Sequence, residues 1–432
     1  MSESTWNRRA VGRAALGVSA TLCAGARLSA AAPAAAPPSA AGTRWSVEAA
    51  RNLRIRQELA WSELGKRMGL GEDPMVVYRA LERGRMPSTW IAPAKFWAAA
   101  GGRAGARNLP GDPAGTIAAY EARYGAITPP TPYEDPNLYA ILLEMSDDIE
   151  AALQARHLPV PARLVLGTLP SNTLDACTIT LPVTHEHIVL FERGLFDFAF
   201  RMSRIAALAF PSIDPATGWF AQPVDTARDV GRHPEILDQL QATLQAYLVE
   251  GDPRRAAVPP IGDSHVMTAA ILLRSLELFA LGHEYGHIVA GHSDNLGPNP
   301  STDATVRYNW DTEYGADSVG VSLMTSVMGD FRLGFWGAGH WFACREIVDR
   351  CLAILATGAV EAPSLTSTHP PNLERSRQLR AVVRDLRPGP ETEQAIALAS
   401  QLDSFWGRLW QISEPTWVGM HKQGKRPAAI WQ

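Results

Sequence analysis

Two histidines four residues apart bracket a glutamate in Leu281-Gly-His-Glu-Tyr-Gly-His-Ile-Val-Ala-Gly-His292, and this spacing constrains the chain more than any other feature. On an α-helix, positions i and i+4 stand one turn apart on one face, so the imidazoles of His283 and His287 converge on one point when the segment is helical. Glu284 then lies beside that point. Apolar periodicity continues on both sides and predicts a helix over Ser264 to Gly291. The four cysteines (Cys23, Cys177, Cys344, Cys351) are scattered without a C-x-x-C pair, so any metal rests on histidine and carboxylate.

A second element follows in Trp310-Asp-Thr-Glu-Tyr-Gly-Ala-Asp317, at the start of a helix predicted over Thr312 to Met328. A Glu-x-x-x-Asp pair one turn apart offers a third ligand, Glu313, and an acceptor, Asp317, for the outward ring N–H of a ligating imidazole. Alone, the pair reads as two solvated carboxylates; behind a His-Glu-x-x-His helix it reads as part of one site. A third element is Ser367-Thr-His-Pro-Pro-Asn-Leu-Glu-Arg375. Pro370 and Pro371 make a rigid entry into a helix over Asn372 to Leu386, with His369 just outside and Arg375 in its first turns. Both side chains are candidates to hydrogen-bond an oxyanion, against the plainer reading of a helix start with a surface His and Arg.

Taken in order, His-Glu-x-x-His with a further histidine five residues on, Glu-x-x-Ala-Asp and Thr-His-Pro-x-x-x-x-Arg resemble the gluzincin metallopeptidases of the HtpX and CAAX prenyl-protease type. The resemblance spans about residues 137–386. It implies Zn²⁺ held by His283, His287 and Glu313, Glu284 as general base, Asp317 orienting a ligand, and His369 and Arg375 at the transition state. His292 matches a histidine common in the family and takes no ligand role. Asn172 to Ala176, with His187 to Phe196 after it, is similar to the edge strand and following helix along which that family lays its substrate as an added strand. The membrane-spanning helices of the integral-membrane members are missing, which implies a soluble, reduced version without a lipidated substrate.

Charge is unevenly distributed. The whole chain carries a formal −4, yet Arg44 to Arg107 holds twelve Lys/Arg against six Asp/Glu, and the remainder of the chain balances this with an acidic body. Within the basic segment, Leu64-Gly65, Met68-Gly69-Leu70 and Leu81-Glu82-Arg83-Gly84 follow one another over about residues 47–101, with Ser62 read as the N-cap of a short helix. These landmarks resemble the phage-repressor (Xre-type) helix-turn-helix family, which implies a helical bundle able to enter a DNA groove. Glu72 and Asp73 open the recognition helix, where phosphates repel them, so binding of DNA and docking to protein both stand. A helix-turn-helix ahead of a His-Glu-x-x-His domain is similar in arrangement to the ImmA/IrrE regulatory peptidases, and the Lit-type phage-exclusion peptidases share a similar zinc motif.

The expected organisation is an Ala/Pro-rich tail over 1–43, a helix-turn-helix domain over 44–109, a Pro/Gly linker over 110–136 and a zinc metallopeptidase domain over 137–432. The expected fold class is α+β and mainly α, a zincin-type core with a small sheet preceded by a small all-α domain. A 46% hydrophobic, 19% charged composition excludes a disordered or collagen-like chain. The expected function is a cytoplasmic zinc endopeptidase acting on a protein or peptide in regulation, stress or phage response, without integral membrane association. Two others stand beside it: a DNA-binding transcriptional regulator with a sensory or inactive zinc domain, and an exported peptidase if Arg8-Arg9 begins a twin-arginine signal rather than a disordered tail.

Overall fold

A computed structural model describes residues 45–82, 124, 127–170, 173–214, 219–220, 222–226, 233–292, 310–359 and 370–431. The described chain is mainly helical with small sheets, an α+β fold dominated by α.

The N-terminal helix α1 (Val47–Met68) is capped by the Ser46 side chain, which accepts from the Ala49 N–H, and ends at Gly69, whose φ of 69° is the left-handed conformation glycine favours. It runs unbroken through Ser62, so the expected helix start there is corrected. No Gly or Pro lies between Val47 and Leu64, and the buried residues Ala49, Leu53, Gln57, Trp61 and Gly65 recur every fourth position, a continuous helical stripe. Helix α2 (Pro74–Glu82) follows. Asp73 caps it by accepting from the Met75 and Val76 N–H groups, which gives this acid a structural task at the helix start. A Cβ at Gly65 would lie 2.5 Å from the Val77 side chain, so glycine lets the two helices touch.

Helix α3 (Pro136–Ala155) leads into a three-stranded sheet of β1 (Leu164–Leu169), β2 (Ala176–Thr180) and β3 (His187–Glu192), in the order β1-β3-β2. β1 is parallel to β3, and β2 is antiparallel to it in a register that sets Thr178 opposite Val189. Side chains alternate between the faces. Val165, Ile188 and Leu190 meet Ala49 and Leu53 of α1, whereas Leu166, Val189 and Phe191 enter the main core. The N-terminal helix is thus a layer of the body. Gln57 strengthens the junction: its side-chain amide donates to Glu134 and to the Thr168 carbonyl and accepts from Thr131 Oγ1, all buried. Arg193 completes the network, donating to Thr168 Oγ1 and the Tyr133 carbonyl with its guanidinium over the Trp61 ring.

Helix α4 (Arg193–Ala207) begins where β3 ends, and Leu195, Phe198, Met202 and Ile205 form its buried stripe. A two-stranded ribbon, β4 (Ile213–Asp214) with β5 (Trp219–Phe220), and α5 (Glu235–Leu248) precede the central helix α6 (Asp263–Val289). α6 is buried on nearly every side by α7 (Trp310–Met328), α8 (Phe331–Thr357), α4 and β2. It is the one described helix long and apolar enough to cross a membrane, but its apolar window is mostly buried inside the protein. Helices α9 (Asn372–Leu386) and α10 (Pro390–Lys422) close the fold, α10 along α8. α10 runs on through Pro415, which cannot donate to the helix ladder, because that residue sits on its exposed side while Trp417 is fully buried beyond it.

Candidate metal centre

The site forms where α6 and α7 approach more closely than ordinary side chains allow. A Cβ at Gly286 would lie 2.8 Å from the Ala316 backbone, and one at Gly320 would lie 2.8 Å from the His283 amide nitrogen. Small residues on both helices therefore set the separation, and that separation lets a short glutamate on α7 reach two histidines on α6.

His283, His287 and Glu313 form a buried group that can hold a metal ion, with one ligand atom of each lying within 4.8 Å of the others. The two Nε2 atoms are 3.1 Å apart; Glu313 Oε2 is 3.5 Å from His283 Nε2, and Oε1 is 3.4 Å from His287 Nε2. Ligands at about 2.0–2.1 Å in a tetrahedral zinc site are separated from each other by about 3.3 Å, so the donor set fits such an ion in type and spacing. Glu313 is fully buried.

Behind the ligands stands a line of charge. Asp317 Oδ1 is 2.9 Å from His283 Nδ1, and Arg375 grips the same carboxylate through Nε to Oδ2 at 2.9 Å and Nη2 to Oδ1 at 2.6 Å. Burial pushes the Asp317 carboxyl up, but the Arg375 charge and the hydrogen bonds from His283 and Arg375 outweigh it and hold its pKa below the usual value. Burial likewise opposes charge on His283, and the bond and charge of Asp317 reverse this and raise its pKa. With Asp317 at Nδ1, the Nε2 of His283 is left to face Glu313 and His287. His287 has a corresponding neighbour in His292, the two Nδ1 atoms being 3.2 Å apart. Burial, then the neighbouring His287, press the His292 pKa down to about 4.

Glu284 is buried beside the ligands, and its Oε2 accepts from Thr178 Oγ1 at 2.8 Å. Thr178 lies on β2, an edge of the three-stranded sheet. The strand expected over Asn172 to Ala176 lies at Ala176–Thr180, where alternating Thr178 and Thr180 suit a strand packed on one face. Arg375 points at Asp317, with Nη2 3.6 Å from Glu313 Oε2, so its guanidinium works from behind the ligands. His369 lies outside the described residues. Helix α9 begins directly after Pro370-Pro371, and Asn372 at its start donates to Asp349 at 2.7 Å, fixing the entry of the segment that carries Arg375. Sequence reasoning missed Thr178 and the partnership of His292 with His287; the only signal for the first was a Thr-x-Thr alternation ahead of β3.

No family model, curated protein or solved structure matches the chain.

Proposed function

We propose that the protein is a cytoplasmic zinc-dependent endopeptidase of gluzincin type. The observation that carries this reading is the convergence of two imidazoles and a carboxylate on one point with a second, non-ligating carboxylate, Glu284, next to them on the same helix. Two neutral nitrogens and one carboxylate are the donor set of catalytic zinc sites that keep a position open. Zinc held there supplies Lewis acidity, which activates water and polarises a carbonyl. Glu284 would accept a proton from the attacking water at a carboxylate oxygen as the water oxygen bonds to the peptide carbonyl carbon, and would pass it to the amide nitrogen as the C–N bond breaks. Asp317 orients His283, Arg375 neutralises the buried negative charge of Asp317, and His292 orients His287. Strand addition along the edge of β2 presents an extended peptide to these groups. Target choice falls to the N-terminal segment over residues 44–109, by protein contact or by DNA.

Zinc content measured by mass spectrometry, with hydrolysis of unfolded polypeptide, tests the proposal. The expected result is about one zinc per chain, lost in His287→Ala and Glu313→Ala, and hydrolysis lost in Glu284→Gln with zinc retained. A parent protein that binds no zinc under metal-replete conditions overturns it; DNA binding that survives Glu284→Gln without any hydrolysis favours the regulator reading.

A further inference from the structure

β2 is the outer strand of its sheet among the described residues, and its ladder to β3 fixes which of its backbone groups point outward. The Glu192 N–H donates to the Asp175 carbonyl at 2.9 Å and the Leu181 N–H to the Glu186 carbonyl at 2.8 Å. In an antiparallel ladder bonded and non-bonded pairs alternate, so the odd-numbered positions from Asp175 to Leu181 bond to β3. Ala176, Thr178 and Thr180 therefore turn their N–H and C=O groups away from β3, toward the outer edge, along which no further strand pairs among the described residues. At Thr178 this coincides with a second contact. Its side chain is buried on the α6 side, where Oγ1 lies 2.8 Å from Glu284 Oε2 and 3.3 Å from the Glu284 carbonyl.

We propose that Thr178 is a positioning residue that couples pairing at the outer edge of β2 to the aim of the Glu284 carboxylate. This rests on the peptidase reading above. The backbone of Thr178 registers an extended peptide by a pair of ladder bonds, and its hydroxyl holds one oxygen of the Glu284 carboxylate, leaving the other to face the reacting groups. The residue of the peptide paired with Thr178 is thereby set at a fixed distance from the base. A carboxylate without this tether rotates about its terminal torsion, which has no sharp minimum. Isosteric substitution separates the hydroxyl from the shape: valine keeps the branched outline and loses the donor, whereas serine keeps the donor and loses the methyl.

The test uses the full chain loaded with Zn²⁺ and two probes, acetohydroxamate and a tripeptide hydroxamate, with zinc content and thermal melting recorded for each variant. A hydroxamic acid surrenders its proton when it chelates, so its affinity reports a correctly aimed acceptor without any need for turnover. The expected result is tighter parent binding of the tripeptide probe than of acetohydroxamate by about tenfold or more, Thr178→Ser close to the parent, and Thr178→Val and Thr178→Ala weaker by about tenfold on both probes with zinc retained. Glu284→Gln shows a loss at least as large. Thr178→Val binding like the parent while Thr178→Ser fails overturns the proposal in favour of a packing role. Hydroxamate affinity that depends on Glu284 and is unchanged in every Thr178 variant overturns it and leaves the peptidase reading standing. Zinc without hydroxamate binding in the parent removes both.

Discussion

Asp317 holds His283 by the nitrogen that faces away from His287 and Glu313, Oδ1 to Nδ1 at 2.9 Å, while His283 Nε2 lies 3.1 Å from His287 Nε2. One carboxylate thus fixes both the tautomer and the direction of the ring. Arg375, bound to both oxygens of that carboxylate, keeps Asp317 ionised in a fully buried position. The candidate metal site is built from the outside inward, with α9 supplying the arginine, α7 the two carboxylates and α6 the histidines.

Asp317→Asn keeps the shape and withdraws the charge that orients His283. Metal affinity, measured by competition with a chromophoric chelator, should fall by about 10–100-fold while the fold is retained. Unchanged affinity would mean that His283 is aimed by packing alone.

Gly286→Ala places a methyl 2.8 Å from the Ala316 backbone and forces α6 from α7. The expected destabilisation is about 1–3 kcal/mol, accompanied by weaker metal binding because Glu313 no longer reaches both histidines. Urea denaturation together with metal titration of the variant gives both numbers.

Glu134→Ala removes the acceptor for Gln57, for the Thr168 amide and hydroxyl, and the charge opposite Arg193, all in the interior. A cost of about 3–5 kcal/mol is expected, as for breaking a buried ionic network by deleting one member. A chain lacking residues 1–82 should fare worse, since Val165, Ile188 and Leu190 lose their cover; aggregation on expression is the expected outcome. Soluble, zinc-binding protein from that truncation would show that α1 is dispensable to the body.

Glu277 is buried one and a half turns before His283, and burial, against the pull of Arg274 and with the push of Glu144, raises its carboxyl to about 8. A carboxyl whose folded pKa exceeds its unfolded value favours the folded state below the unfolded pKa of about 4.5 and loses that advantage as pH rises through about 8. Stability should therefore decline from pH 5 to pH 9, and Glu277→Gln should flatten the profile, with a gain at the alkaline end of up to about 5 kcal/mol. Denaturation midpoints of both proteins across that range check the sign; parallel profiles would show that Glu277 is ionised throughout.

The sequence by itself determined the mainly helical fold and the site's central helix, because a His-Glu-x-x-His spacing and an apolar 3.6-residue period are local properties of a single helix. It determined the helix from Asn372 to Leu386 for the same reason, proline before and periodicity within. Glu313 and Asp317 were legible as a pair and, behind the His-Glu-x-x-His helix, as members of one site; what the sequence did not carry is the helix crossing at Gly286 and Gly320 on which their convergence with His283 depends, since such a contact leaves no period in the chain. Only the tertiary structure decided what Arg375 faces, that Thr178 meets Glu284, and that α1 covers a sheet rather than folding apart from it. Gln57, Glu134 and Arg193 read as ordinary polar residues until residues 77 and 136 positions apart along the chain are brought to one buried point. Local periodicity specifies an element and its buried face; which element lies against that face is set by packing between distant segments, and there the spacing of residues in the sequence carries no information.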